Sequence, residues 1–191
     1  MNTKPKTALR HARSAKNFPK LHLDSDEYVE VAISRAKICY VLAWLMMLGG
    51  ALLALIVFFI FKNFAPDLPG INFDATGFAA ILAILLIVVT SGIAIVNLVV
   101  TGRNEMYITN KHVYQFSSTG LFAESSSTID LASIEDVSYK KSGLIQSLLN
   151  FGTLRLSTVG DETTYTFKYA VVSSSILDRI SDLVTSAKAK K

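Results

Sequence analysis

The run GLIQSLLNFGTLRLSTVG, residues 143–160, decides between a loop that cradles a ligand and a piece of a β fold. A phosphate cradle needs glycines clustered just ahead of a helix, so that backbone N–H groups converge on the anion. Here Gly143, Gly152 and Gly160 are spread through the run instead, at the spacing of strands and turns. After Gly152 the residues alternate, with Leu154 and Leu156 on one side and Arg155 and Ser157 on the other, which is the period of a strand. Asn150 and Gly152 read as turn residues that tolerate positive φ, and Gly160 as the next turn. The run marks a fold and brings no chemistry of its own.

Working outward, short alternating runs continue on both sides. EMYIT (105–109), HVYQFS (112–117), SSTIDL (126–131) and EDVSYKK (135–141) precede it, and TTYTFKYAVV (163–172) follows. Turn residues separate them, as in an all-β unit. In the last run Tyr165, Phe167 and Tyr169 share one face, which is expected to be buried. The chain then changes period. Ile176, Leu177, Ile180, Leu183, Val184 and Ala187 fall on one helical stripe. Ser175 with Asp178 reads as a capping box with Asp in place of Glu, and late lysines suit the helix dipole. Far upstream, DEYVEVAIS (26–34) also alternates. It is read as a strand ending near Ile33 that joins the same body, with a helix through Val29, Ala32, Ile33 and Ala36 as the alternative.

Two other runs have no charge at all: ICYVLAWLMMLGGALLALIVFFIF (38–61) and FAAILAILLIVVTSGIAIVNLVVT (78–101). As a helix each would be roughly 36 Å long, against a hydrocarbon core of about 30 Å. The first begins after a long polar leader and a second follows at once, which argues against a cleaved signal peptide. The reading is a two-helix transmembrane hairpin. Its connector holds Pro66, Pro69 and Gly70, which break helices.

Residues 1–37 carry Lys4, Lys6, Arg10, Arg13, Lys16, Lys20, Arg35 and Lys37, whereas the connector has only Lys62. The positive-inside rule therefore puts both termini in the cytoplasm and the connector outside, in a plasma membrane protein. Tyr40 and Trp44 suit the inner interface, and Phe58, Phe59, Phe61 and Phe64 crowd the outer end. Gly50 with Ala54, and Ala79 with Ala83, are small-xxx-small pairs that allow close helix approach. Asn97 is the only strongly polar side chain in either span, fit for an interhelical hydrogen bond or an interfacial position. The single cysteine, Cys39, excludes an intrachain disulfide.

The organisation read from these signals runs as follows. Residues 1–25 form a basic flexible cytoplasmic leader, and 26–34 a strand joining the cytoplasmic domain. Residues 38–61 and 78–101 are the spans, with 62–77 a short external connector. Residues 103–188 are the cytoplasmic domain, with its helix at 174–188.

The order MYITNKHVYQFSSTGLF (106–122), IDLASIEDVSYKKS (129–142), LLNFGTLRLST (148–158) and a closing helix resembles the bacterial pleckstrin-homology-like domain of membrane-associated type. The residues that carry the likeness are the Thr109-Asn110-Lys111-His112 turn, the Ile129 to Val137 run and the Phe151 to Thr158 strand. Members often have a two-span hairpin before the domain. The resemblance implies an α+β membrane protein: a transmembrane hairpin plus a PH-like β-sandwich or split barrel, closed by a C-terminal helix. It implies binding of lipids, peptides or proteins, and no catalysis. Phosphoinositide-binding relatives use a Lys and Arg cluster between their first strands. This chain offers only Lys111 at the nearest equivalent turn, which argues against that ligand.

Chemistry-bearing patterns are lacking. His11, His22 and His112 have no metal-ligand spacing. Two S-x-x-K matches, Ser34 to Lys37 and Ser138 to Lys141, lack the companion motifs of the penicillin-binding class. Glu135-Asp136 and Asp161-Glu162 are neighbours in sequence, and neighbours on a strand face opposite ways. No enzyme, cofactor or metal is expected. The net charge of +4 comes from the leader, and the β region has no basic stripe with interleaved aromatics, so nucleic acid is not a partner. The function expected is a membrane-anchored binding or scaffolding module. It would contact the bilayer, anionic headgroups through the basic leader, and a protein partner or further copies of itself. Candidate headgroup or partner contacts are Lys111, Lys140 and Lys141. Candidate helix–helix contacts are Gly50, Ala54, Ala79, Ala83 and Asn97. The alternative is a subunit of a small oligomeric transporter or channel. Such a path calls for intramembrane ionisable groups, and the two spans contain none.

Overall fold

Where apolar and polar residues alternate, strands form, and they sort into two antiparallel sheets. The computed structural model describes residues 4–64, 75–158 and 164–189. One sheet has the order β1-β2-β3-β4, from Val29–Ser34, Glu105–Thr109, His112–Ser118 and Glu124–Asp130. The other is β5-β6-β7, from Ile134–Lys140, Gly152–Thr158 and Thr164–Ala170. A single 3₁₀ turn, Leu131–Ser133, carries the chain from one sheet to the other. The helices are α1 (Lys4–Asn17), α2 (Ile38–Phe64), α3 (Ala75–Gly102), α4 (Leu144–Leu148) and α5 (Ser174–Lys188).

Two compact units result. Residues 37–101 form one, and residues 1–36 with 102–191 the other. The β unit is therefore interrupted in sequence by the apolar helices, and strand pairing joins its parts. β1, just before α2, pairs with β2, just after α3, bringing Ser34 opposite Glu105. The core between the sheets holds Val31, Ile33, Met106, Ile108, Leu131, Ile134, Leu154, Leu156 and Phe167, with Ile180 and Val184 of α5 packed into it.

α2 and α3 are long and apolar enough to cross a membrane. Their most apolar windows are only 11% and 17% buried, unlike core helices of a soluble protein, which bury all round. Both run past the expected spans, to Phe64 at one side and from Ala75 at the other. Pro66, Pro69, Gly70 and Gly160 lie outside the described residues.

Several expectations need correction. The leader is not a flexible arm: residues 4–17 form α1, which packs against β1, with Ser14 and Leu21 buried. Its Ser14 hydroxyl accepts from the Val29 amide at 3.1 Å, and the Phe18 ring packs tilted against Tyr107 with ring centroids 4.9 Å apart. The N-cap of α5 is Ser173, not Ser175, because the Ser173 hydroxyl accepts from the Ile176 amide. Tyr169 leaves the aromatic face. A bulge in β7 sets Gly152 opposite Ala170 but Leu154 opposite Phe167, so Phe167 and Ala170 turn inward. Tyr169, at φ 60°, turns out. An extra residue in a strand flips the alternation beyond it.

Within residues 143–160, α4 lies between β5 and β6, a short helix that the alternation did not signal. Asn150 has the positive φ (53°) expected of it, but Gly152 does not. A Cβ on Gly152 would fall 2.6 Å from the Lys140 carbonyl oxygen and 2.9 Å from the Tyr139 ring. Gly152 is there for close approach of β5, not for a turn.

Candidate functional site

The turn between β2 and β3 holds the Thr109-Asn110-Lys111-His112 motif, and the leader folds onto it. Asn110 accepts from the Tyr28 amide at 2.9 Å and donates to the Asp26 carbonyl at 3.2 Å. Glu27, fully buried, sits at the centre. Its carboxylate accepts from the Thr109 hydroxyl (2.5 Å), His112 Nδ1 (3.0 Å), the Tyr114 hydroxyl (3.2 Å) and the Asp24 amide (3.2 Å). A carboxylate only accepts, so Nδ1 of His112 carries a proton. Burial pushes the Glu27 pKa up, but the bonds from Thr109, His112 and the Asp24 amide prevail and hold it below its ordinary value. The Tyr114 hydroxyl is pushed up to about 12, first by burial and then by the Glu27 carboxylate.

Lys111, a candidate contact, is engaged within the chain. Its ammonium lies 2.7 Å from Asp26 and 3.6 Å from Asp24. The hydrogen bond with Asp26 raises the lysine's pKa and lowers the aspartate's. Glu30 similarly joins α1 and α5, with Arg10 at 3.4 Å and Arg179 at 2.9 Å. The Thr-Asn-Lys-His turn is thus a clasp for residues 24–28, a role the sequence did not reveal. A signal existed in Asp24, Asp26 and Glu27 ahead of a basic turn, but it joins residues more than eighty positions apart.

The register places a second region at the opposite end of the β unit. Ser34, Glu105 and Phe116 are aligned across the first sheet, and Ser118 faces Glu124. In the second sheet Lys140 faces Thr153 and Gly152 faces Ala170. Arg35 bridges to Ala170, and the Ala36 amide donates to the Tyr169 carbonyl at 2.7 Å. One end of the unit therefore carries both points where the chain passes to and from the apolar helices. It also carries the β3–β4 and β5–β6 loops. Lys140 and Lys141 lie here, far from Lys111. Lys141 bonds the Asn150 side chain and lies 5.9 Å from the Tyr139 ring centroid.

A cleft of ~500 Å3 opens at this end, lined by Lys20, Arg103, Phe116, Ser118, Glu124 and neighbouring serines. Arg103 donates to the Leu121 carbonyl (2.9 Å) and pairs with Glu124 (3.0 Å). Lys20 pairs with Glu105 at 3.8 Å. The buried Asn104 side chain extends the ladder, donating to the Ser118 carbonyl and accepting from its amide, both at 3.1 Å.

In the helical unit, Gly50, Ala54 and Ala79 are buried and Ala83 is half-buried. A Cβ on Gly50 would fall 2.3 Å from Thr90 Oγ1, so the two helices approach closely there. Asn97 is exposed and donates to the Ile93 carbonyl of its own helix at 3.1 Å.

The family model described as the bacterial PH domain matches residues 31–186. The match begins in β1, runs through both apolar helices and ends in α5. No curated protein and no solved structure matches the chain. With most of its length matched, and with the hairpin inside the matched region, the chain belongs to the bacterial PH domain family.

Proposed function

We propose that the chain is a membrane-anchored binding module, without catalysis, working at the cytoplasmic face of the plasma membrane. It holds a protein partner, a further copy of itself or lipid headgroups. The observation that carries this reading is the pairing of β1 with β2 across the apolar helices. That pairing ties the family domain and its two candidate spans into one continuous build. The excess of Lys and Arg in residues 1–37 over the connector supports cytoplasmic termini. The acid and histidine of the clasp engage one another and neighbouring donors, which favours a structural role for them over a catalytic one. A transporter subunit is the weaker reading, because residues 38–61 and 78–101 carry no ionisable group that would line a path.

The test uses the full chain in native membranes. Carbonate extraction should leave it in the pellet, and protease should reach the β unit only from the cytoplasmic side. A photo-crosslinker at Lys140 should capture a protein, a second copy or lipid. Release by carbonate, or a crosslinking pattern of bare monomer throughout, would overturn the proposal.

A further inference from the structure

The end of the β unit where the chain leaves for the apolar helices is also where its large apolar side chains are most exposed. In the β5–β6 loop Leu144 is 90% and Leu148 85% exposed, with Ile145 and Leu149 beside them. In the β3–β4 loop Phe122 is 99% exposed. These loops are built rather than slack. Gly143, at φ 93°, leads into α4, and Asn150 ends it in the left-handed region. The Phe151 amide donates to the Gln146 carbonyl at 3.0 Å, and the Ser142 amide to the Gln146 side chain. This is a Schellman closure, and it holds the leucines outward. Arg103 fixes the other loop through the Leu121 carbonyl.

The charges at this end favour a lipid surface as the occupant. Glu105 and Glu124 are paired, with Lys20 and Arg103, while Lys140 and Lys141 flank the α4 loop. Amphipathic segments with basic flanks and exposed leucine and phenylalanine suit the headgroup and acyl boundary. Chain length adds to this. Ile38 begins α2 two residues after Ala36, a reach of no more than about 7 Å. A bilayer around α2 and α3 would therefore begin close to these loops.

We propose that residues 119–123 and 142–151 dip into the same bilayer, with Phe122, Leu144, Ile145 and Leu148 as the inserted side chains. This rests on the membrane anchoring proposed above.

The experiment uses the full chain in a Cys39→Ala background, reconstituted into phosphatidylcholine and phosphatidylglycerol liposomes. An environment-sensitive nitrobenzoxadiazole dye is attached at Phe122→Cys, Leu148→Cys or Ile145→Cys. Ser186→Cys, exposed near the far end of α5, is the control. Insertion should blue-shift the loop labels, a nitroxide on the upper acyl chain should quench them, and the control should show neither effect. Flotation with the liposomes reports anchoring separately. Protein that does not float fails the anchoring proposal itself. Protein that floats with water-like, unquenched labels at all three loop positions overturns the insertion. Blue-shifted labels that the lipid nitroxide does not quench also overturn it, and assign the loops to a second copy.

Discussion

Replacing Glu27 with Ala should release the leader from the β unit. The carboxylate receives four donors, and each hydrogen bond to a charged group contributes about 1.5–3 kcal/mol. Their simple sum overstates the loss. Thr109 has the His112 carbonyl 2.8 Å away as another acceptor, and Tyr114 has the His22 carbonyl at 3.4 Å. The His112 side chain is about a third exposed and turns to water. The expected cost is about 2–4 kcal/mol, or roughly 30- to 700-fold in the opening equilibrium. Hydrogen exchange on the full chain in detergent reads this locally, through amides of Leu21 to Ser34. Glu27→Gln keeps the shape and loses the charge, so its effect should be smaller.

The sign with pH follows from the lowered pKa. The Glu27 contribution is fully present above its ordinary value of 4.5 and is lost as pH falls through the lower folded value. The gap in protection between the native chain and Glu27→Gln should therefore close on acidification below 4.5. Protection of residues 21–34 unchanged in Glu27→Ala would refute the clasp.

Gly152→Ala should cost about 1–3 kcal/mol by forcing β5 away at Lys140, seen as faster exchange across β5 and β6. Ser173→Ala should lower stability by about 1 kcal/mol as a lost cap, and Ser175→Ala by much less, in thermal unfolding followed by exchange in α5. Gly50→Ala should loosen the helical unit by about 1–3 kcal/mol, with partial recovery in Gly50→Ala/Thr90→Gly. Trp44 fluorescence during denaturation reads the helices, and exchange in β1 reads the β unit.

Strand periods of 105–158 and the helix at 174–188 were legible because burial on one side imposes a local alternation or stripe, as in Leu154 and Leu156 or Ile180 and Val184. The apolar helices were legible from length and absence of charge. Bulges were not legible, since Tyr169 looks like any third member of an alternating set until one residue is inserted. α1 was missed for a related reason. Its sequence is polar and basic, and its order comes from contacts made elsewhere: Arg10 with Glu30, Ser14 with Val29, Phe18 with Tyr107. Of the candidate contacts, Lys111 read as an available charge because the aspartates that engage it come from the leader. Lys140 and Lys141 read as candidate contacts from their charge alone, and only the register shows them beside the exits to α2 and α3.

The same register makes the two units dependent on each other. To pair Ser34 with Glu105, the chain must close a loop of roughly 70 residues, which as a flexible coil costs about 4 kcal/mol beyond the constant term. If α2 and α3 are already packed through Gly50 and Thr90, their ends are neighbours and most of that cost has been met before β1 meets β2. β1 then docks as if it were part of a local hairpin. β1 in turn supplies the partner for β2 and, with residues 24–28 just ahead of it, the clasp onto the Thr109 turn. A substitution deep in the apolar unit should therefore be felt in β1, although no side chain of the clasp is touched. Gly50→Ala should raise exchange in Val29–Ser34 along with loosening the helices, and Thr90→Gly should reverse both in parallel. Loosened helices with an undisturbed β1 would mean that the β unit closes on its own.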